Sequence, residues 1–209
     1  MEEEKRPGEY LEMYEDDHGS YIMNSKDLCL MPKFDKVLSA GFDSLKIEGR
    51  HKTPYYVAQT ARVYRKAIDD YFNAPAAWKP DLYIQELETL QNRGYTLGFF
   101  DGIPTSEAQD YLDTSSRSDW RNVGYVKENR GNSIVIDIRN KITKGDKIEI
   151  LSPYQFEPEI ITIDSLIDGF DDKPADFVGP GRTGQTAIIP IDPQKAKLFP
   201  ELTIIRMKI

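Results

Sequence analysis

Metal-ligating and nucleophilic side chains are scarce in this sequence. Its 209 residues include one cysteine and two histidines, His18 and His51, which lie far apart. A single thiol excludes an intrachain disulfide, so the simplest compartment is the cytoplasm. No apolar run approaches the roughly eighteen residues that mark a membrane-spanning helix. The opening MEEEKRPGEY is acidic rather than signal-like, and no membrane partner is expected. Neither HExxH nor GxSxG occurs, which removes two common hydrolytic signatures. The net charge of -8 argues against indiscriminate binding to nucleic acid but permits a local basic site.

With 39% hydrophobic and 30% charged residues, the chain can bury one sizeable core or two small ones. Its organising stretch is Asp43 to Arg65, DSLKIEGRHKTPYYVAQTARVYR. Ser44 to Glu48 alternates with period two, which predicts a short strand with Leu45 and Ile47 on one face and Lys46, Glu48 and Arg50 on the other. Gly49 breaks it, Thr53 can cap a helix, and Pro54 suits the first helical position. The helix is predicted to carry Val57, Ala61, Tyr64 and Ile68 on its apolar stripe, with Arg62, Arg65 and Lys66 pointing away.

Residues 1–20 are acidic and read as a solvated arm. Tyr21 to Asn24 reads as a buried strand. Leu28, Leu30, Phe34, Val37 and Leu38 suit a helix interrupted by Pro32 and stopped at Gly41. Strand, helix, strand, helix with short links predicts parallel strands joined by right-handed crossovers. Pro75 and Pro80 mark a linker in which Trp78 packs, followed by a helix from Leu82 to Leu90 with contacts from Leu82, Leu87 and Leu90. The aromatic Tyr95 to Phe100 comes next. Polar, turn-like residues follow. Beyond Trp120 the period becomes that of strands, at Val123 to Val126, Ile134 to Ile138, Lys147 to Leu151, Ile160 to Ile163, Thr186 to Ile189 and Leu202 to Met207. Gly/Asp/Asn turns and the Gly179 to Gly184 loop separate them, predicting a small antiparallel barrel. The expected division is 1–102 for an α/β part, 103–117 for a linker and 118–209 for an all-β part.

NSKDLCL (Asn24 to Leu30), SLKIEGR (Ser44 to Arg50), YRKAIDD (Tyr64 to Asp70), NRGYTLGFFDG (Asn92 to Gly102) and RNKITKGDKIEIL (Arg139 to Leu151) occur in this order. Together they resemble the collagenase-like peptidase family, of unknown catalytic type, which also contains bacterial tRNA 5-hydroxyuridine and ribosomal-RNA hydroxylation proteins. The resemblance covers nearly the whole chain and is to the C-terminal half of such proteins. It implies that residues 1–102 are the last β-α units of a TIM-barrel-like catalytic domain, whose missing N-terminal part would be a partner. Two units alone cannot close a barrel of eight strands and roughly 250 residues.

Charged residues where a parallel strand ends would sit at the mouth where such folds place their sites. On that reading Glu48 and Lys46 are catalytic candidates. Arg50, Arg62, Arg65, Arg93 and Tyr95 are candidates for gripping an anion or substrate, because arginine forks bind carboxylate and phosphate bidentately. The bland alternatives are an exposed charge ladder for the first three, a solvated helix face for the next two, and a helix stop with core aromatics for Arg93 and Tyr95. Cys29, within LCLM, reads as a buried small hydrophobe. The resemblance implies an iron–sulfur cluster held mostly upstream, to which Cys29 supplies at most one ligand; a cluster needs four. No cofactor is expected on this chain alone, while the cluster and the anion prephenate are implied for the full-length protein.

The first functional reading is thus part of an RNA-modifying enzyme, with tRNA or another RNA as partner and the isolated chain inactive. The alternatives are a collagenase-like, metal-dependent peptidase, or a non-catalytic binding module formed by the terminal barrel.

Overall fold

A computed structural model describes residues 8, 14–16, 19–21, 25–104, 108 and 118–209. The chain divides into two compact units, Met1–Leu45 with Tyr71–Ser118, and Lys46–Asp70 with Asp119–Ile209.

In the first unit, β1 (Tyr14–Asp16) and β2 (Gly19–Tyr21) form a hairpin with Tyr14 opposite Tyr21. Residues 22–24 of the predicted strand lie outside the described residues, as does most of the expected linker. A two-residue parallel ladder joins β3 (Asp27–Leu28) to β4 (Tyr95–Thr96), continued by Cys29 N–H donating to Thr96 O at 2.9 Å. Pro32 confines Met31–Lys33 to a 3₁₀ turn, and α1 follows at Phe34–Ser39. Gly41, at φ 76°, terminates it. Met31, Phe34, Val37, Tyr83, Leu87 and Leu90 are buried. The helix predicted at Leu82 to Leu90 runs over Asp81–Glu88 (α3; the intervening helix α2, Pro54–Asn73, belongs chiefly to the second unit). Leu82 is exposed and Tyr83 packs in its place, its ring stacked on Trp78 at 5.6 Å.

The second unit contains α2 (Pro54–Asn73) as far as Asp70. Thr53 caps it as predicted, its hydroxyl accepting from Tyr56 N–H at 3.2 Å. The buried stripe differs from expectation. Tyr55, Gln59, Thr60, Val63 and Ala67 are buried, while Val57 and Ala61 are exposed. Both faces of the helix carry apolar residues, and the one that packs includes two polar side chains, which apolarity alone cannot single out. Arg62 therefore lies beside the packed face, not away from it. The strand predicted at Ser44 to Glu48 is absent: these residues join no ladder, and Lys46 and Glu48 are largely exposed. Period-two alternation records two unlike faces; it does not supply a partner strand. Parallel pairing among the described residues is confined to β3 and β4.

All six strands predicted after Trp120 form: β5 (Trp120–Asn129), β6 (Ser133–Ile138), β8 (Lys147–Leu151), β9 (Glu159–Thr162), β13 (Thr186–Pro190) and β14 (Ile204–Lys208). Four two-residue strands went unread: β7 (Ile142–Thr143), β10 (Ile167–Asp168), β11 (Lys173–Pro174) and β12 (Phe177–Val178). One antiparallel sheet runs β11-β10-β13-β6-β5-β14-β8-β9, with β7 and β12 paired separately. Val123, Ile134, Ile136, Ile148, Ile150, Ala187, Ile189 and Ile205 belong to one buried cluster. A single sheet buries one face this way by curling over it, aided by bulges at Val126/Glu128 and Ile205/Arg206. Phe199, following the one-turn α4 (Pro193–Ala196), closes the cluster. No ladder among the described residues joins β9 to β11, so the sheet is a curled half-barrel.

Candidate functional site

Within the second unit, α2 and the connection from β8 to β9 enclose a cleft of about 900 Å³. One wall is Ala58, Ala61, Arg62, Arg65, Lys66 and Asp69 of α2. The other is Leu151 to Phe156 with Glu201 to Ile204. Spacings of three and four residues put the three cations on adjoining rows of the helix.

Arg62 links the two walls of this cleft. Its guanidinium lies 4.7 Å from the Phe156 ring centroid, bonds Gln59 Oε1 at 3.3 Å, and donates to the main-chain carbonyl of Phe156. Gln155 braces the same turn, donating to Glu157 O at 3.0 Å and Glu159 Oε1 at 3.1 Å. Lys195, bonded to Glu159 at 2.5 Å, and then Gln155 hold the Glu159 carboxyl below its usual pKa. Arg65 makes a two-point bond to Asp69 at 3.1 and 2.5 Å, and Lys66 reaches Asp70 at 2.5 Å. The cleft thus offers an aromatic floor and two cations, each shared with an aspartate one turn on. That arrangement can hold an anion or a flat ring; it assembles no nucleophile with a base.

Arg62→Ala should lower stability by about 2 kcal/mol, the scale of lost hydrogen bonds to a charged group. Arg62→Lys should recover less than half of it, because an ammonium lacks the fork. Urea unfolding of both variants checks this.

The predicted site residues fall into three places. Arg62 and Arg65 share the cleft with Lys66. Lys46, Glu48 and Arg50 lie on their own exposed segment of the second unit. There Glu48 Oε1 accepts from Arg50 N–H at 2.9 Å and Oε2 lies 3.7 Å from Lys46 Nζ. The Arg50 amide, then the Lys46 charge, lowers the Glu48 pKa. Arg93, Tyr95 and Cys29 belong to the first unit. Asp27 accepts from Arg93 N–H at 3.2 Å, and Tyr95 donates to Leu87 O at 2.7 Å. Cys29 is 5% exposed. Phe156 and Gln155 were not foreseen; their only signal is an aromatic flanked by prolines in PYQFEPE.

Among the described residues no three His, Cys, Asp or Glu side chains gather as a metal set. One thiolate cannot hold a cluster that takes four ligands, so the residues present do not fit an iron–sulfur cluster beyond a single ligand at Cys29.

The peptidase family U32 domain matches residues 1–110, and the family's C-terminal domain matches residues 118–206. The chain belongs to peptidase family U32. Among U32 relatives, the tRNA hydroxylation protein P of Escherichia coli (strain K12) is 44% identical over 157 residues, covering 73% of this chain and 34% of the relative. The tRNA hydroxylation protein P1 of Bacillus subtilis (strain 168) is 33% identical over 159 residues, 75% of this chain and 37% of that protein. A collagenase of Porphyromonas gingivalis (strain ATCC BAA-308 / W83) is 36% identical over 93 residues, 42% of this chain and 21% of its own. This U32 chain spans about a third of the length of the first two. Among its described residues no helix is long and apolar enough to cross a membrane.

Proposed function

We propose that this chain is the C-terminal portion of a cytoplasmic protein that acts in RNA modification, as a tRNA uridine hydroxylation factor. The observation that carries the reading is the 33 to 44% identity to proteins named for tRNA hydroxylation, over about three quarters of this chain. The parallel β3–β4 pair supports a further step, in which upstream residues complete a TIM-barrel-like domain around the first unit. An iron–sulfur cluster of the full-length protein would be held chiefly by residues outside this chain. An anionic ligand such as prephenate would be gripped by Arg50, with Lys46 and Glu48 of the same segment at the reacting end, and Arg62 and Arg65 would offer a separate anion contact in the α2 cleft.

The test is nucleoside analysis of RNA from cells lacking the gene. Hydroxylated uridine should disappear and return with the full-length gene. In that full-length protein Glu48→Gln and Arg50→Lys should leave the melting temperature unchanged, because Glu48 is exposed here. Both should reduce the modified nucleoside by tenfold or more, on the order of one lost transition-state contact. Wild-type nucleoside levels in both variants would remove these residues from the site. A strain with intact hydroxyuridine and lost peptide cleavage would assign the protein to the peptidase reading that the collagenase relative favours.

A further inference from the structure

At the end of the sheet where β6 finishes and β13 begins, two phenylalanines stand in solvent under cations. Phe170 is 61% exposed, with the Arg182 guanidinium 4.7 Å from its ring centroid. Phe177 is 57% exposed, with Lys141 Nζ at 4.2 Å. A solvent-facing phenylalanine forgoes the gain of burying its ring. Two such rings, each paired with a cation, make a surface with both a flat apolar element and a positive one.

The two pairs are linked by the loop 179–184, GPGRTG. It follows β12, which ends at Val178, and a Cβ on Gly179 would rest 3.4 Å from the Lys141 Cβ. At its far end Gln185 donates to Asp168 Oδ1 at 2.6 Å, and the same oxygen accepts from Phe170 N–H at 2.9 Å. Phe170 and Phe177 are seven residues apart in the chain, a reach of at most about 25 Å, so a few nucleotides of single strand can touch both rings. Five aspartates lie between residues 164 and 176, and some of the acids at this end are held locally. Asp146 accepts from Thr143 N–H at 2.8 Å, Asp171 from Lys173 N–H at 3.3 Å, and Asp137 pairs with Arg139 at 2.8 Å. Among the described residues, Lys141, Lys144 and Arg182 have no ion pair.

We propose that this end of the half-barrel, with Phe170 and Phe177 as stacking faces and Lys141 and Arg182 as phosphate contacts, binds single-stranded RNA. The inference rests on the RNA-modification reading and names a contact surface for it, separate from the cleft on α2. Rings stack on any base and cations track the backbone, the combination used by sequence-tolerant single-strand binders. An acidic peptide would use the cations and leave the rings idle, which makes RNA the better match.

The experiment measures binding of a roughly twelve-nucleotide, fluorescein-labelled single-stranded RNA to the 209-residue chain by anisotropy across a salt series. Wild type should bind below about 100 μM at low salt. Phe170→Ala/Phe177→Ala should weaken binding at least about tenfold. Lys141→Gln/Arg182→Gln should reduce the slope of log affinity against log salt by about 1.4, two phosphate contacts on a single strand. Thermal unfolding of each variant should match wild type, and the second pair stands if the first fails to fold. Absence of wild-type binding, or wild-type affinity and slope in both variants, overturns the proposal. So does displacement of the RNA by polyglutamate with the phenylalanine variant unaffected, which would mark an acidic-protein site. Loss of function in cells is a separate readout: RNA binding here with unchanged hydroxyuridine in the deletion strain would sink the modification reading and leave this surface standing.

Discussion

Glu149→Ala should destabilise the protein by about 3 kcal/mol. Arg206 on β14 is 1% exposed, yet it carries a full positive charge. Glu149 on β8 is its carboxylate partner, Oε2 accepting from Nε at 2.8 Å with Nη2 2.7 Å away, and the Trp120 ring centroid lies 4.5 Å from the guanidinium. Removing one side of a buried pair costs about 3 to 5 kcal/mol, because the other charge stays in a medium that solvates it poorly. The Glu149 side chain keeps 18% of its exposure, which puts this case at the lower end. Replacing both, as Glu149→Ala with Arg206→Met, should recover most of the loss, since apolar packing often matches a buried pair. Urea unfolding followed by Trp120 emission, in a Trp78→Phe background, reads the change beside the pair itself. A loss under about 1 kcal/mol for Glu149→Ala would show the pair to be dispensable.

Gly124→Ala should cost at least as much, about 3 kcal/mol, for a different reason. A Cβ at this position of β5 would sit 2.1 Å from the Asp137 carbonyl oxygen on β6 and 3.1 Å from Ile136 Cγ2. The nearest atom is main chain and cannot rotate away, so the β5–β6 ladder must part. Overpacking a well-formed core typically costs about 1 to 3 kcal/mol, and a backbone collision belongs at the top of that range. Gly131→Ala is the control. It has open space but a φ of 85°, so it should lose only about 1 kcal/mol, the scale of a left-handed backbone without glycine. Equal losses in the two variants would mean that conformation, not the close approach of β6, sets the cost at Gly124.

What could be read from the sequence depended on how local the cause was. Residues 134–138 form an apolar run and residues 147–151 are apolar-rich, each following a Gly-containing turn, and both the strands and the turns form. Gly145, at φ 95°, is needed where Lys144-Gly145-Asp146 was read as a turn. Thr53 and Pro54 announce α2 for the same reason: cap and first turn act within a few residues. The failures are non-local. Ser44 to Glu48 has the alternation of a strand and no ladder to join. The choice between the Val57 and Val63 faces of α2 depends on what packs there. Arg62 was foreseen as an anion grip, whereas the Phe156 turn that it clasps lies more than ninety residues away. Nothing in a local window marks Arg206 as buried, because its partners come from β5 and β8.

Cys29 gives the first unit a chemical clock of its own. Its thiol is buried and its amide is tied to Thr96 across the continuation of the β3–β4 ladder. With no second cysteine in the chain, every alkylation event records the opening of that one place. Under native conditions the labelling rate therefore reports the local opening free energy of the first unit, while the half-barrel, which holds no thiol, stays silent. A single mass shift would then separate the stability of one unit from that of the other without cutting the chain.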